Sequence, residues 1–202
     1  MRTFIAIEIP PNVKQGLRTE QQRLRDILDR YNLPPVLRWT NTDNLHLTLQ
    51  FLGETQAQQL RRIQDGLVGL AAAHQPFTLS LSRLGCFRSW KYLRVLWVGI
   101  DGDAAALRAV QADVESLACR LGFDAGRQPF SPHVTLARTM RNAPRSALRK
   151  ASEQLRRAAT DETPQTEYRW SVRDLYYIRS VLGGGGPQYS TLARCPLDFD
   201  PP

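Results

Sequence analysis

Two tetrapeptides carry the residue types needed for paired proton transfer. His46-Leu47-Thr48-Leu49 recurs as His133-Val134-Thr135-Leu136. On a β-strand, residues i and i+2 share a face, so His46 and Thr48 point the same way, about 6–7 Å apart along the strand. Leu47 and Leu49 point into a core. His133 and Thr135 repeat this, with Val134 and Leu136 inward. The chain has three histidines, and two of them occupy these matching positions. Either histidine alone reads as a scaffold or surface residue; the pair reads as acid and base. One imidazole takes a proton from an attacking group while the other protonates a leaving oxygen. Two threonine hydroxyls can donate to two non-bridging oxygens. A tetrahedral phosphodiester presents both kinds of oxygen and fits such a quartet. The motif brings no carboxylate, and H-E-x-x-H is absent, so no metal is expected. His74, beside Gln75-Pro76, reads as a helix-end cap or loop residue.

The elements that must position these side chains follow from periodicity. Phe4 to Ile9 is an alternating strand, and Pro10-Pro11 ends it and opens a helix through about Tyr31. Leu37 to Thr40 is a short strand, Asn41 to Asn44 a turn, and Leu45 to Leu52 a strand ended by Gly53. Thr55 to Ala73 is helical, with Leu60, Ile63, Leu67 and Leu70 on one face. Strands at Phe77–Leu84 and Leu93–Ile100 precede a helix from Asp101-Gly102-Asp103 to about Leu121. A strand lies within Ser131–Arg138, and Pro144 to about Ala159 is a basic amphipathic helix. Arg169–Ser180 and Tyr189–Leu197 are a closing pair of strands around Gly183-Gly184-Gly185-Gly186. That glycine run lacks the Lys-Ser/Thr of a phosphate-binding loop and reads as a hairpin connection. Without a regular βαβ cadence, the expected class is α+β with antiparallel pairing. A strand–helix pattern precedes each His-x-Thr copy, which implies two related lobes that each contribute one copy.

Bulk properties narrow the partners. The 202 residues suit a single domain of two lobes. Lysine plus arginine total 27 against 19 acids, a formal charge of +8, and only Lys14, Lys91 and Lys150 are lysines. Arginine forks suit phosphate oxygens and stack on bases, so a polyanion is a plausible partner, although a generic basic surface fits the composition too. The helix around Arg145, Arg149, Lys150, Arg156 and Arg157 reads as a solvated face. Cys86, Cys119 and Cys195 are scattered and form no C-x-x-C pair, which argues against zinc and disulfides. No apolar run nears the roughly 20 residues of a membrane span, and the start alternates like a strand rather than a signal peptide. The expectation is a cytoplasmic monomer without membrane attachment.

The paired motifs also carry a resemblance. Arg2 to Ile7, Leu37-Arg38-Trp39, Asn44 to Glu54, Leu93 to Trp97, Phe130 to Arg138 and Tyr189 to Leu197 together resemble the RNA 2′,3′-cyclic phosphodiesterases. These are also called 2′-5′ RNA ligases, a LigT-like group of the two-histidine phosphoesterase superfamily. The resemblance implies a bilobal, pseudo-symmetric α+β fold, with two mainly antiparallel sheets around a central cleft and helices outside. It implies hydrolysis of 2′,3′-cyclic phosphate RNA ends to a 2′-phosphate, reversible 2′-5′ ligation, and no cofactor. It casts His46 as proton donor, His133 as proton acceptor and Thr48, Thr135 and Arg138 as phosphate-binding residues. The internal symmetry leaves the sequence itself silent on which histidine is which. Ordinary imidazole pKa values near 6.5 would give a bell-shaped pH profile around neutrality. Phe51 resembles a base-stacking wall. Strict alternation, however, places both Phe51 and Arg138 on the core side, so either the strands bulge or end there, or Phe51 is core. Two other functions stay open: turnover of small cyclic or 2′-5′-linked nucleotides, and a non-catalytic RNA- or nucleotide-binding module.

Overall fold

The computed structural model describes residues 1–126, 128–160, 168–183 and 186–198. Strand β1 (Arg2–Glu8) leads through Pro11, at the first helical position, into helix α1 (Pro11–Asp29). Proline suits that position because its missing N–H would have no partner there. The short β2 (Leu37–Trp39) and a 3₁₀ turn precede β3 (His46–Glu54), α2 (Ala57–Ala72) and β4 (Phe77–Phe87). A reciprocal pair of side-chain bonds between Gln56 and Gln59 caps the start of α2. The second half runs β5 (Val95–Gly102), α3 (Ala104–Arg120), β6 (His133–Thr139), α4 (Arg145–Thr160), β7 (Arg169–Val172), β8 (Asp174–Gly183) and β9 (Gly186–Pro196).

The strands lie in the order β7-β4-β5-β6-β3-β1-β8-β9, with β2 also paired to β6, and the pairings are antiparallel. The two sheets expected from the sequence are halves of one continuous sheet. They meet at a single rung, Leu47 opposite Val134, between β3 and β6. Beyond that rung β6 pairs with β2 instead, so β3 and β6 part. The repeat is visible in the topology: β1-α1-β3 and β5-α3-β6 each place two antiparallel neighbours around a helix. Each half also receives strands from the other, β4 joining β5 and β8 joining β1.

Helices α2 and α3 pack together beside β3, β8 and β9, whereas α1 packs on α4, which lies against β4. The buried stripe of α1 includes Val13, Leu17 and Leu24, and that of α4 includes Ala147, Ala151, Leu155 and Ala158. Arg145, Arg149, Lys150, Arg156 and Arg157 are exposed, as a solvated face requires. The alternation expected of Phe4 to Ile9 does not hold in burial: Thr3 to Ile7 are all buried, because β1 is covered on both sides. Ile5 and Ile7 enter the main core, while Phe4, Ala6 and Ile178 form a small second cluster with Tyr176 and Tyr189 packed on it.

Several expectations change in detail. β3 continues through Gly53, which takes φ +68°, to Glu54. The expected strand Arg169–Ser180 divides at Arg173, because its first part pairs with β4 and its second with β1 in the other half. Gly183 pairs with Gly186 in the β8–β9 hairpin; Gly184 and Gly185 lie outside the described residues. His74 follows α2 but does not serve merely as a cap: its Nε2 lies 2.8 Å from Asp113 Oδ2 and ties the helix end to α3. The three cysteines are free thiols. Among the described residues, no helix is long and apolar enough to cross a membrane.

Candidate active site

Antiparallel continuation of the Leu47–Val134 rung sets His46 across from Thr135 and Thr48 across from His133. Leu47 and Val134 are fully buried, so the four polar side chains emerge on the opposite, cleft face, each half-buried. The sequence quartet is thus assembled by the two strands that join the halves.

The cleft gains two more side chains because both strands bulge at the same place. In β3, Ala6 faces Thr48 and Ile5 faces Gln50, leaving Leu49 as the extra residue. In β6, Trp97 faces Thr135 and Leu96 faces Ala137, leaving Leu136 extra. One inserted residue reverses the face of everything after it. Leu49 and Gln50 are therefore both buried and Phe51 is 65% exposed; Leu136 and Ala137 are both buried and Arg138 is exposed. The alternation that put Phe51 and Arg138 in the core is corrected by this bulge, and both line the cleft.

Buried Gln21 from α1 holds the second bulge. Its amide nitrogen donates to the carbonyls of Leu136 and Thr40, both at 2.9 Å, and Thr40 N–H donates to the same Leu136 carbonyl at 2.8 Å. The extra residue thus has its backbone oxygen fully engaged, which fixes where Arg138 leaves the strand.

Each histidine is oriented by the backbone two residues before it. His46 Nδ1 lies 2.7 Å from the Asn44 carbonyl, and His133 Nδ1 lies 2.7 Å from the Ser131 carbonyl. A carbonyl can only accept, so Nδ1 carries hydrogen in both rings and Nε2 of a neutral ring is left as an acceptor. Asn44 is held in turn: its side-chain nitrogen donates to Pro187 O at 2.8 Å, and Asn41 Oδ1 accepts from Asp43 N–H in the turn before β3. Aromatic rings back both imidazoles. His46 stacks on Phe4 at 4.8 Å and meets the edge of Tyr189 at 5.3 Å; His133 meets Phe87 edge-on at 4.6 Å and lies 6.1 Å from Trp97. Gly85 leaves room for the Trp97 ring.

These surroundings alter the titration expected from sequence. Burial, reinforced by the Lys14, His133 and Arg138 charges, pulls His46 down to about 4 against the opposing Asn44 carbonyl. Burial and then Arg138 lower His133, with the Ser131 carbonyl opposing. Both rings are therefore neutral near pH 7, and the ordinary value of 6.5 does not apply. Burial also raises the Tyr189 phenol, so it stays a hydrogen-bond donor.

A cavity of about 640 Å³ contains the quartet, Phe51, Arg138, Arg38, Asn44 and Tyr189. Neither Thr48 nor Thr135 uses its hydroxyl on a partner among the described residues. Arg38 sits opposite Arg138 in the β2–β6 pairing, and neither has an acidic partner among the described residues. Like charges face to face are unfavourable, and an anion between them would relieve the repulsion. The same residues group no three His, Cys, Asp or Glu side chains that could hold a metal. Gln21, Arg38 and Tyr189 were not singled out as site residues from sequence. Arg38 is one exposed arginine among many, and the other two come from α1 and β9, far along the chain from either motif.

The fold agrees with comparisons to known proteins. The family model described as LigT-like phosphoesterase matches this chain twice, at residues 7–97 and 98–189. The chain belongs to this family. The two matches fall one on each half of the internal repeat. Among LigT-like relatives, an RNA 2′,3′-cyclic phosphodiesterase of Aeropyrum pernix is 34% identical over 84% of this chain and 90% of its own length. One of Geobacillus stearothermophilus is 29% identical over 96% of this chain, which spans only 56% of that longer protein. The solved structure of E. coli LigT complexed with 3′-AMP superposes with a TM-score of 0.70 at 27% identity, covering 97% of each chain.

Proposed function

We propose that this phosphoesterase hydrolyses the 2′,3′-cyclic phosphate at RNA ends to a 2′-phosphate, with a pair of histidines and without a metal. The observation that carries the reading is the matched pair of imidazoles, each held at Nδ1 by the i−2 carbonyl and each presenting Nε2 to one cleft. His133 Nε2 takes a proton from water, whose oxygen attacks phosphorus in line with the 3′-oxygen. The P–O3′ bond breaks, and protonated His46 delivers its proton to that oxygen. The products are a 3′-hydroxyl and a 2′-phosphate. Thr48 and Thr135 donate to the non-bridging oxygens, and Arg138 balances the charge that grows there. Phe51 stacks on the terminal base. With an RNA 5′-hydroxyl attacking in place of water, the same groups join a 2′-5′ linkage as the P–O3′ bond breaks; run in reverse, the 3′-hydroxyl attacks, the 5′-hydroxyl leaves and the cyclic phosphate re-forms. One chain supplies both halves of the quartet, which supports a monomer acting in the cytoplasm as part of this proposal.

The substrate class is supported by the names of the A. pernix and G. stearothermophilus relatives and by the nucleotide in E. coli LigT. The absence of a metal is supported by the donor set of the cleft. The test is hydrolysis of an RNA with a 2′,3′-cyclic end by wild type, His46→Ala and His133→Ala in EDTA, with folding of each protein checked by circular dichroism. Wild type should release a 2′-phosphate and both folded variants should be inactive. Inert wild type, or activity that survives either substitution, refutes the assignment.

A further inference from the structure

A second cavity of about 220 Å³ adjoins the first, between the end of α1 and β2. Leu28, Leu33, Pro34, Pro35 and Trp39 give it mostly apolar walls, and Asp29 adds one hydrogen-bond acceptor. Arg25 and Trp39 line both cavities and form the partition between them. The Arg25 guanidinium lies 4.8 Å over the Trp39 ring, which is itself packed against the core. The mechanism above uses none of these residues.

We propose that this second cavity holds the base of the nucleotide 5′ to the reacting one, so that the preferred substrate is an oligonucleotide end. The inference rests on the proposed cyclic phosphodiesterase reading. A mostly apolar cavity with one ring and one acceptor in its wall suits a nucleobase, whose faces stack on rings and whose amino group needs a partner. The phosphodiester linking the two nucleotides passes over the partition, where Arg25 meets it with a cation fixed on an aromatic face. Arg38, unpaired by any acid among the described residues, flanks the path between Arg138 and Trp39. A mononucleotide fills only the first cavity and leaves these contacts unused.

The experiment compares kcat/KM for cyclic 2′,3′-AMP and for a diadenosine with a 2′,3′-cyclic end, in wild type, Arg25→Gln and Arg38→Gln. Wild type should favour the dinucleotide by about tenfold or more, a ratio of the size that one charged hydrogen bond from Arg25 to the added phosphate supplies. The ratio should fall below about threefold in Arg25→Gln. The added phosphate should steepen the plot of log kcat/KM against log salt by about 0.7 for the dinucleotide, and Arg38→Gln should reduce that difference. Equal wild-type rates on both substrates, or a ratio unchanged in Arg25→Gln, overturn the second subsite while leaving the chemistry intact. Failure to turn over either substrate overturns the chemistry, and the subsite with it.

Discussion

Gln21→Met tests whether a helix residue outside the cleft sets the aim of Arg138. Methionine keeps the length and apolar bulk of the side chain and removes its amide. Two hydrogen bonds at 2.9 Å disappear, to Leu136 O and to Thr40 O. Leu136 O keeps the Thr40 N–H, so the loss is mainly the two bonds, at about 1 kcal/mol each. A fall of about 2 kcal/mol lowers Tm by about 4–8 °C in a chain of this size. The bulge is then held by one bond, and Arg138 loses its fixed exit from β6. A charged hydrogen bond to phosphate contributes about 1.5–3 kcal/mol, so partial loss lowers kcat/KM about five- to tenfold. A double-mutant cycle separates this from general loosening. In the Arg138→Ala background, Gln21→Met should cost little further activity but the same Tm. Wild-type kcat/KM in Gln21→Met, or losses that multiply in the double variant, would refute the positioning role.

Other consequences follow from burial and geometry. The proposed mechanism requires protonated His46 and neutral His133, and both titrate below the ordinary range, so kcat/KM should peak on the acid side of pH 6.5. Bound phosphodiester anion raises both pKa values, so the kcat optimum should lie at higher pH; a kcat/KM still rising at pH 8 contradicts the pair. The unfolded chain protonates position 46 near 6.5 and the folded one near 4, so stability falls as pH drops through that window, by about 3 kcal/mol at most. Urea titrations of wild type and His46→Ala should therefore converge at low pH. Phe51→Ala removes an exposed ring: stability should change by less than about 0.5 kcal/mol, whereas KM for cyclic AMP should rise about tenfold. An unchanged KM removes Phe51 from the substrate site. Gly85→Ala drives a Cβ into the Trp97 ring, so the ring that backs His133 must move. The expected cost is about 1–3 kcal/mol and a lower kcat, and a wild-type Tm would mean the ring relocates freely.

The paired His-x-Thr segments identified both strands and the cleft face because strand alternation is local: each side chain's direction follows from its neighbours. The apolar stripes of α1, α2 and α4 were legible for the same reason, and the doubled motif disclosed the two halves. Alternation failed at Leu49 and Leu136, where one extra residue is accommodated in each strand. No local pattern marks those bulges, since the backbone oxygen of Leu136 is satisfied by Gln21, 115 positions away. The break at Arg173 was equally invisible, because it depends on β4 and β1 waiting in opposite halves. The depressed histidine pKa values required the rings of Phe4, Tyr189, Phe87 and Trp97 to arrive from other strands. The sequence by itself determined which groups could exchange protons. Tertiary packing decided where Arg138 and Phe51 point and how readily the imidazoles hold a proton, because desolvation and long-range hydrogen bonds exist only once distant segments meet.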